Sequence, residues 1–427
     1  MSDTASDSLP DAPMDADVII AGAGMAGATL GLALASAGLT AILVDPAPFD
    51  AQLAPTFDGR SSAIAYASFR QWKALGAGDE LEPHAQRIEQ ILVTDGTSPG
   101  AAASRPGSAF LRFDSAEIGD VSGGEPLGYM LENRRIRAGL ARTIEATPGL
   151  TVLAPAKVAS LQVTPAAALV TLADGRVLKA PLVVGAEGKA SVIRQQAGIG
   201  VVGWPYGQSG VVATVELEQD HEGVAHEYFL PGGPFAILPL TGQRASLVWT
   251  EKTAQAEALR GTRTEIVHAH MQRRFGEFLG APKVVGPVFV YPLALALAEQ
   301  LSAPRVAILG DAAHGVHPIA GQGLNLGLKD AAALAQVLVE ALRLGEDIGA
   351  EAVLERYAAW RRFDNTMLAA ATDVFTRLFS NDIAPLRAAR GLGLAVVNQI
   401  APARRFFMRE AGGGVGDLPR LLRGEAL

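Results

Sequence analysis

DVIIAGAGMAGATLGLALASAGLTAILVD, residues Asp17 to Asp45, decides the fold class. Asp17 to Ala21 form a short apolar run. Gly22-Ala-Gly24-Met-Ala-Gly27 then fits G-x-G-x-x-G, and Ala28 to Ala37 continue as small residues that suit a helix ending at Gly38. Leu39 to Val44 form a second apolar run, with Asp45 at its tip. Strand, glycine turn, helix, strand and acid in this order are the fingerprint of a dinucleotide-binding βαβ unit. Gly22 permits the tight turn, Gly24 lets a pyrophosphate approach the backbone, and Gly27 lets helix and strand pack closely. The helix N-terminus offers free N–H groups and a positive dipole end to phosphates. Asp45 is placed to accept hydrogen bonds from a ribose diol. Val18 to Val44 carry no charge and are long enough to cross a bilayer, but Gly22, Gly24, Gly27, Gly31 and Gly38 interrupt them, so a buried unit explains them better. A tight turn without a ligand is the bland alternative. The motif alone does not separate NAD from FAD.

At 427 residues the chain outgrows a single small core, and two or more lobes are expected. With 49% hydrophobic and 19% charged residues it reads as a core-rich globular enzyme. A net charge of −8 argues against nucleic acid as a partner. The lack of cysteine excludes a disulfide framework, cysteine-ligated metal and a thiol nucleophile, and fits the cytoplasm. Residues 1–14 are acidic and small, with no secretory pattern, and read as a disordered leader.

Further motifs follow. ALVTLADGRVLKAPLVV, residues 168–184, reads as a hairpin turning at Asp174-Gly175. It runs into Gly185-Ala-Glu187-Gly188, with Ser191 and Arg194 beyond. Arg305 to Asp311 form a buried strand ending in Gly-Asp. HGVHPIAGQGLNLGLKDAAAL, residues 314–334, is a glycine-rich approach to an apolar helix, with Leu334, Leu338 and Leu342 at i, i+4 spacing. Together these stretches resemble the class A FAD-dependent aromatic hydroxylases. The run His317 to Gly327, Arg60-Ser-Ser-Ala-Ile64, GPFAILPL (233–240), PLRAARGLGL and FFMREAGG resemble the ubiquinone-biosynthesis hydroxylases within that family. The resemblance spans about Asp17 to Leu422.

The resemblance implies an α/β protein: an FAD-binding Rossmann-like domain, a second antiparallel β-sheet substrate domain and a C-terminal helical region. It implies non-covalent FAD, NADH or NADPH as co-substrate, O2, and a polyprenylated phenol. In the implied cycle NAD(P)H reduces FAD, O2 gives a C4a-hydroperoxide, and its distal oxygen attacks the phenol ring. Asp311 is expected to bond ribityl hydroxyls. Gly321 and Gly323 would let the backbone pass along the flavin, and a helix beginning near Leu324 would aim its amides at the pyrimidine end of the ring. Arg60 is expected near the pyrophosphate or flavin, against the alternative of a surface arginine. Asn133 reads as a helix N-cap with an FAD contact. Asn325 reads equally as a helix-start residue or a flavin contact. His317 and Pro318, which open the loop, are the catalytic candidates. His314 is expected to bond backbone or cap the loop. No metal site is expected, since His314 and His317 have no neighbouring carboxylate pair. The second motif normally carries Asp in this family; Glu187 departs from it, and its extra methylene is expected to shift the carboxylate.

The FAD domain is expected in three pieces, 15–81, 114–200 and 284–345, with the substrate domain at 82–113 and 201–283. Most of Tyr228, Phe229, Phe235 and Trp249 are expected in its sheet core, with one or two lining a substrate pocket. His268 and His270 are expected to face solvent. Residues 346–427 form the helical region. From Pro385 the tail holds seven arginines against three acids, together with Leu392, Leu394, Val396, Val397, Phe406 and Phe407. Such a tail fits peripheral contact with the inner membrane or other quinone-biosynthesis proteins, or packing on its own core. Rival functions are a flavin reductase or oxidase acting on an isoprenoid, and a non-catalytic subunit of a quinone-synthesis complex.

Overall fold

The computed structural model describes residues 13–53, 57–95, 110–230, 233–260, 262, 264–275, 279–316, 321–379, 393 and 397–427. The opening stretch folds as β1 (Val18–Ala21), α1 (Met25–Ser36) and β2 (Ala41–Val44). Gly22 at φ 102° makes the turn into the helix, and Gly38 at φ 89° ends it. β1 and β2 are central in a six-stranded sheet. Its order is β18 (Ser302–Ala303), β19 (Val306–Ile308), β12 (Leu182–Gly185), β1, β2 and β8 (Leu150–Leu153). All neighbours run parallel except β18, which is antiparallel at the edge.

The four inner strands, β19, β12, β1 and β2, are buried on both faces, which is why they are apolar throughout rather than alternating. Val18 and Ile20 join a core that includes Leu30, Leu34 and Leu328. Ile19 and Ala21 join a second core under the antiparallel sheet β11 (Val177–Ala180), β10 (Ala168–Leu172), β9 (Val158–Val163). The expected hairpin is present, with Gly175 at φ 90°. After Pro181 the chain changes sheets to enter β12.

The second large sheet has eight strands. Its order is β20 (His314–Gly315), β17 (Lys283–Ala298), β13 (Val201–Glu216), β16 (Arg244–Lys252), β15 (Gly233–Leu240), β14 (Val224–Leu230), β5 (Gln90–Asp95) and β6 (Phe110–Asp114). It is not wholly antiparallel, because β5 arrives from a distant chain segment and pairs parallel to β14. β17, which the sequence reading put in the third FAD segment, hydrogen-bonds along β13 in this sheet. Tyr228, Phe235 and Trp249 lie in its core with Val211 and Leu247, and Phe229 is buried too. His268 and His270 are half-buried rather than solvent-facing: a ring nitrogen of His268 lies 2.6 Å from the Pro282 carbonyl, and His270 packs by Arg274 and Glu251.

A three-stranded sheet, β3 (Ser61–Ala65), β7 (Gly128–Glu132) and β4 (Gln86–Ile88), joins the two halves. Met130 and Ile88 pack on Ala225 and Leu240 of the eight-stranded sheet. The helices used below are α2 (Tyr66–Ala74), α3 (Asn133–Glu145), α4 (Val192–Gln196), α5 (Gln322–Arg343), α6 (Glu351–Phe379) and α7 (Ala401–Ala411). α5 begins at Gln322 rather than Leu324. Leu334 and Leu338 are buried as expected, but Leu342 is exposed where the helix end outruns the core. On α6, Val353 and Tyr357 are buried and Trp360 packs at the rim. The tail divides. Leu421 and Leu422 are buried in the main core near α2, so the chain end is part of the fold. Phe406 and Phe407 on α7 are exposed. Leu392, Leu394 and Val396 lie outside the described residues.

Candidate active site

The parallel sheet brings three motifs to one edge, beyond the carboxyl ends of its strands, where open α/β sheets bind ligands. Gly22 follows β1, Asp45 follows β2, Glu187 follows β12 and Gly310 follows β19. The three glycines of the first motif differ in the way the sequence required. A methyl on Gly22 would sit 2.4 Å from the Ala186 carbonyl oxygen, and one on Gly27 would sit 2.0 Å from that of Gly22. A methyl on Gly24 would meet nothing within 4 Å. The loop is therefore closed at its ends and open at its centre. The α1 N-terminus behind Gly24 has no side-chain cap. Its free amides and dipole end suit an anion. Asp45 accepts from Ala23 N at 2.8 Å and Ala47 N at 2.9 Å, which fixes its carboxylate beside the loop.

Glu187 is accounted for by its reach. Its carboxylate accepts from the Ser191 hydroxyl, from Val192 N at 3.2 Å and from Ile193 N at 3.4 Å, and so caps α4. Burial raises its pKa, and these bonds oppose the rise. Arg194 joins the second motif to the third by donating to Ala312 O at 2.9 Å and Lys189 O at 2.8 Å.

The third motif rests on a buried charge network. Asp330 accepts from Gly310 N at 3.2 Å, His314 Nε2 at 2.5 Å and Arg361 Nε at 2.9 Å. His314 therefore partners a carboxylate, not the backbone acceptor or loop cap expected of its side chain, because α5 brings Asp330 directly beneath it. Tyr357 closes the group by donating to Ile308 O at 2.9 Å. Sequence reading missed Asp330 and Arg361. The available signal was the Lys329-Asp330 pair, set in an otherwise uncharged stretch from Gln322 to Val339. Asp311, next to Gly310, is exposed at the sheet edge.

The start of α5 faces β3. Gly321, at φ 63°, abuts Ala63, since a methyl there would approach its Cβ to 3.0 Å. Gly323 is open, with nothing within 4 Å of such a methyl, and Leu324 is partly buried. Asn325 is buried and spends its amide on neighbours: its oxygen accepts from Ala65 N at 2.9 Å, and its nitrogen donates to Ala63 O at 2.9 Å and Gly321 O at 3.1 Å. Asn133 is the first residue of α3 and not its cap, a place Glu132 takes. The Asn133 side chain accepts from Ser62 Oγ at 2.7 Å. Arg60 pairs with Asp58 at 2.7 Å, and its guanidinium lies 5.8 Å from the Phe289 ring centre. His317 and Pro318 lie outside the described residues. Among the described residues no cluster of acids and histidines could hold a metal.

These groups fit a dinucleotide: an open glycine, an uncapped helix start, and carboxylates at two strand ends. Residues 15–369 match the FAD binding domain family. The chain is 45% identical over 415 residues to ubiquinone hydroxylase UbiL of Rhodospirillum rubrum, covering 96% of this chain and 94% of that protein. It is 36% identical over 402 residues to 3-demethoxyubiquinol 3-hydroxylase of Escherichia coli K12, covering 93% and 98%. Among solved structures, p-nitrophenol 4-monooxygenase PnpA from Pseudomonas putida DLL-E4 shares the fold, with a TM-score of 0.77 at 18% identity over 94% of this chain and 99% of that one.

The glycines give a prediction. Gly27→Ala should lower the thermal unfolding midpoint, because its methyl collides with backbone. Gly24→Val should leave the apoprotein midpoint near wild type and raise the FAD dissociation constant about tenfold or more, as charge-assisted bonds are worth about 1.5–3 kcal/mol. Flavin absorbance per protein reads the outcome. Full occupancy in Gly24→Val would move the phosphates away from α1.

Proposed function

The chain belongs to the ubiquinone hydroxylase family of FAD-dependent aromatic hydroxylases, and we propose that its own substrate is a polyprenylated phenol of ubiquinone biosynthesis, hydroxylated on the ring. The observation that carries this reading is the assembly of all three dinucleotide motifs at one sheet edge, with the third motif tied to the eight-stranded sheet through β20 and β17. Bound FAD supplies electron transfer from NADH or NADPH and the activation of O2. The protein's part is binding, orientation and exclusion of water.

In this reading Gly22, Gly24 and Gly27 cradle the pyrophosphate at the α1 N-terminus, and Asp45 takes the ribose. Asp311 takes the ribityl hydroxyls. Gly321, Gly323 and Leu324 place the uncapped α5 N-terminus at the ring's pyrimidine edge, where a positive dipole end favours developing negative charge. Asn325 fixes that helix start to β3. Arg60 and Asn133 hold the same region through Asp58 and Ser62. His317 and Pro318 are the catalytic candidates of this reading, on the resemblance of their sequence run to that of the family.

No helix among the described residues is long and apolar enough to cross a membrane. Access to a lipid-dissolved phenol falls instead to α7, where Arg405, Phe406 and Phe407 are exposed together. Aromatic and cationic side chains on one short helix suit reversible contact with an anionic bilayer.

Two outcomes check the reading. With ¹⁸O2, NADH or NADPH and 2-geranylphenol, the purified protein should place one labelled oxygen on the ring, as read by mass spectrometry. Reductant consumption with label only in peroxide would refute hydroxylation. The double change Phe406→Asp and Phe407→Asp should reduce flotation with anionic vesicles while FAD content holds. Undiminished flotation would place the membrane contact elsewhere.

A further inference from the structure

One face of the eight-stranded sheet looks toward the FAD-binding half. Three contacts fix its direction. Thr214 Oγ1 donates to Gly59 O at 3.1 Å, Arg244 Nη1 donates to Glu132 Oε1 at 2.8 Å, and Ala225 and Leu240 pack on Met130 and Ile88. Side chains two residues apart on a strand share a face. The register therefore sets Val93, Glu227, Ala236, Val248, Val212 and Phe289 in one row across β5, β14, β15, β16, β13 and β17. Phe289 ends the row beside the Arg60 guanidinium. Four strand steps of about 4.8 Å put Glu227 about 19 Å from Phe289, room enough for a phenol ring between them.

Glu227 is the one ionisable side chain in this apolar row. It accepts no hydrogen bond from any described residue, and it is partly open to water. Burial nonetheless raises its carboxyl pKa to about 8. A group that is both reachable and desolvated lines a recess, and such groups concentrate where chemistry is done. His226 and Tyr228 project from the opposite face of β14 and do not share the recess. Among the described residues, strand alternation also sets Lys252 on β16 and Glu216 on β13 on the Glu227 face, both at strand ends. Arg244 is held by Glu132. Arg60, paired with Asp58, and Tyr291 stand at the far end of the row.

We infer that Glu227 is the catalytic residue that accepts the proton of the substrate's phenolic hydroxyl, a role that rests on the hydroxylase reading above. In this step the substrate O–H bond breaks and the proton moves to a Glu227 carboxylate oxygen. The electron pair stays on the phenolate oxygen and enriches the ring carbons ortho and para to it. The same carboxyl returns the proton to the product oxygen, so the step consumes no oxidant. The apolar row around Glu227 keeps competing water out and the two acidities close.

The test uses the holoenzyme with 2-geranylphenol, NADH or NADPH and O2, from about pH 6 to about pH 9.5. Wild-type kcat/KM for hydroxylated product should rise to a plateau with a midpoint near 8, because the ionised carboxylate is the active form. Glu227→Gln should lose that limb and about 100-fold or more of the rate, with reductant still consumed and oxygen released as hydrogen peroxide. Glu227→Asp should keep the limb on a lower plateau. FAD content and the unfolding midpoint report whether each variant folds. A wild-type rate in Glu227→Gln overturns the assignment, and so does a lowered rate with the limb intact, which marks a structural residue. If Glu227→Gln does not fold, Glu227→Asp decides: a lowered plateau with the limb retained supports the role, and unchanged rates at every pH overturn it. Wild-type protein that makes no hydroxylated probe overturns the hydroxylase reading itself, before any variant is compared.

Discussion

Asp330 holds a negative charge with no access to water, and three donors converge on it: Gly310 N, His314 Nε2 and Arg361 Nε. Burial alone would raise its pKa, but His314 and Arg361 outweigh burial and hold it well below the ordinary carboxylate range. A depressed carboxylate contributes stability that is fully present above the unfolded value, about 4, and is lost as pH falls through the lower folded value. Removing one partner of such a group strands a buried charge at a cost of about 3–5 kcal/mol. The network thus pins the third motif to α5 and α6 at every working pH.

The rest of this sheet edge depends on that pin. Where the Gly310 turn passes between α1 and α5, only small residues fit. A methyl on Gly327 would come within 3.0 Å of Gly310 Cα and 3.4 Å of Ala26 Cβ. The α1 N-terminus, the Gly310-Asp311 turn and the α5 N-terminus are therefore set against one another as a rigid group. Arg194 adds the second motif through Ala312, and Asn325 adds β3. β20 then hydrogen-bonds to β17, which couples this group to the sheet that carries Glu227.

Much of this was legible because local rules act over short spans. Gly22, Gly24 and Gly27 each fill the place that a tight turn, an open approach and a close packing demand. The Asp174-Gly175 hairpin and the apolar strands on either side of α1 followed from pattern alone. What escaped was set by contacts between distant segments. Arg361 lies one helix beyond Asp330, so no spacing rule links them. β5 pairs with β14 parallel, which periodicity does not encode. Glu227 and Tyr228 are neighbours in sequence, and only the register tells which of them faces the recess. Glu187 was legible as a departure, but its capping of α4 depended on where Ser191, Val192 and Ile193 came to lie. From sequence the tail meets lipid or core with equal sense, and only tertiary contacts decide that Leu421 and Leu422 enter the main core. Asn133 missed its cap position by a single residue, the ordinary scatter of helix boundaries.

If the buried charge of Asp330 orders the FAD-binding edge through Gly310 and Arg361, Asp330 and Arg361 must be coupled in FAD binding. A double-mutant cycle of Asp330→Asn and Arg361→Met, read by FAD dissociation constant and by denaturant unfolding, tests it most directly. Each single change should weaken FAD binding about tenfold or more, and the double change should fall short of their sum by about 1 kcal/mol or more in both measurements. Strictly additive effects, with FAD binding unchanged in Asp330→Asn, would contradict it.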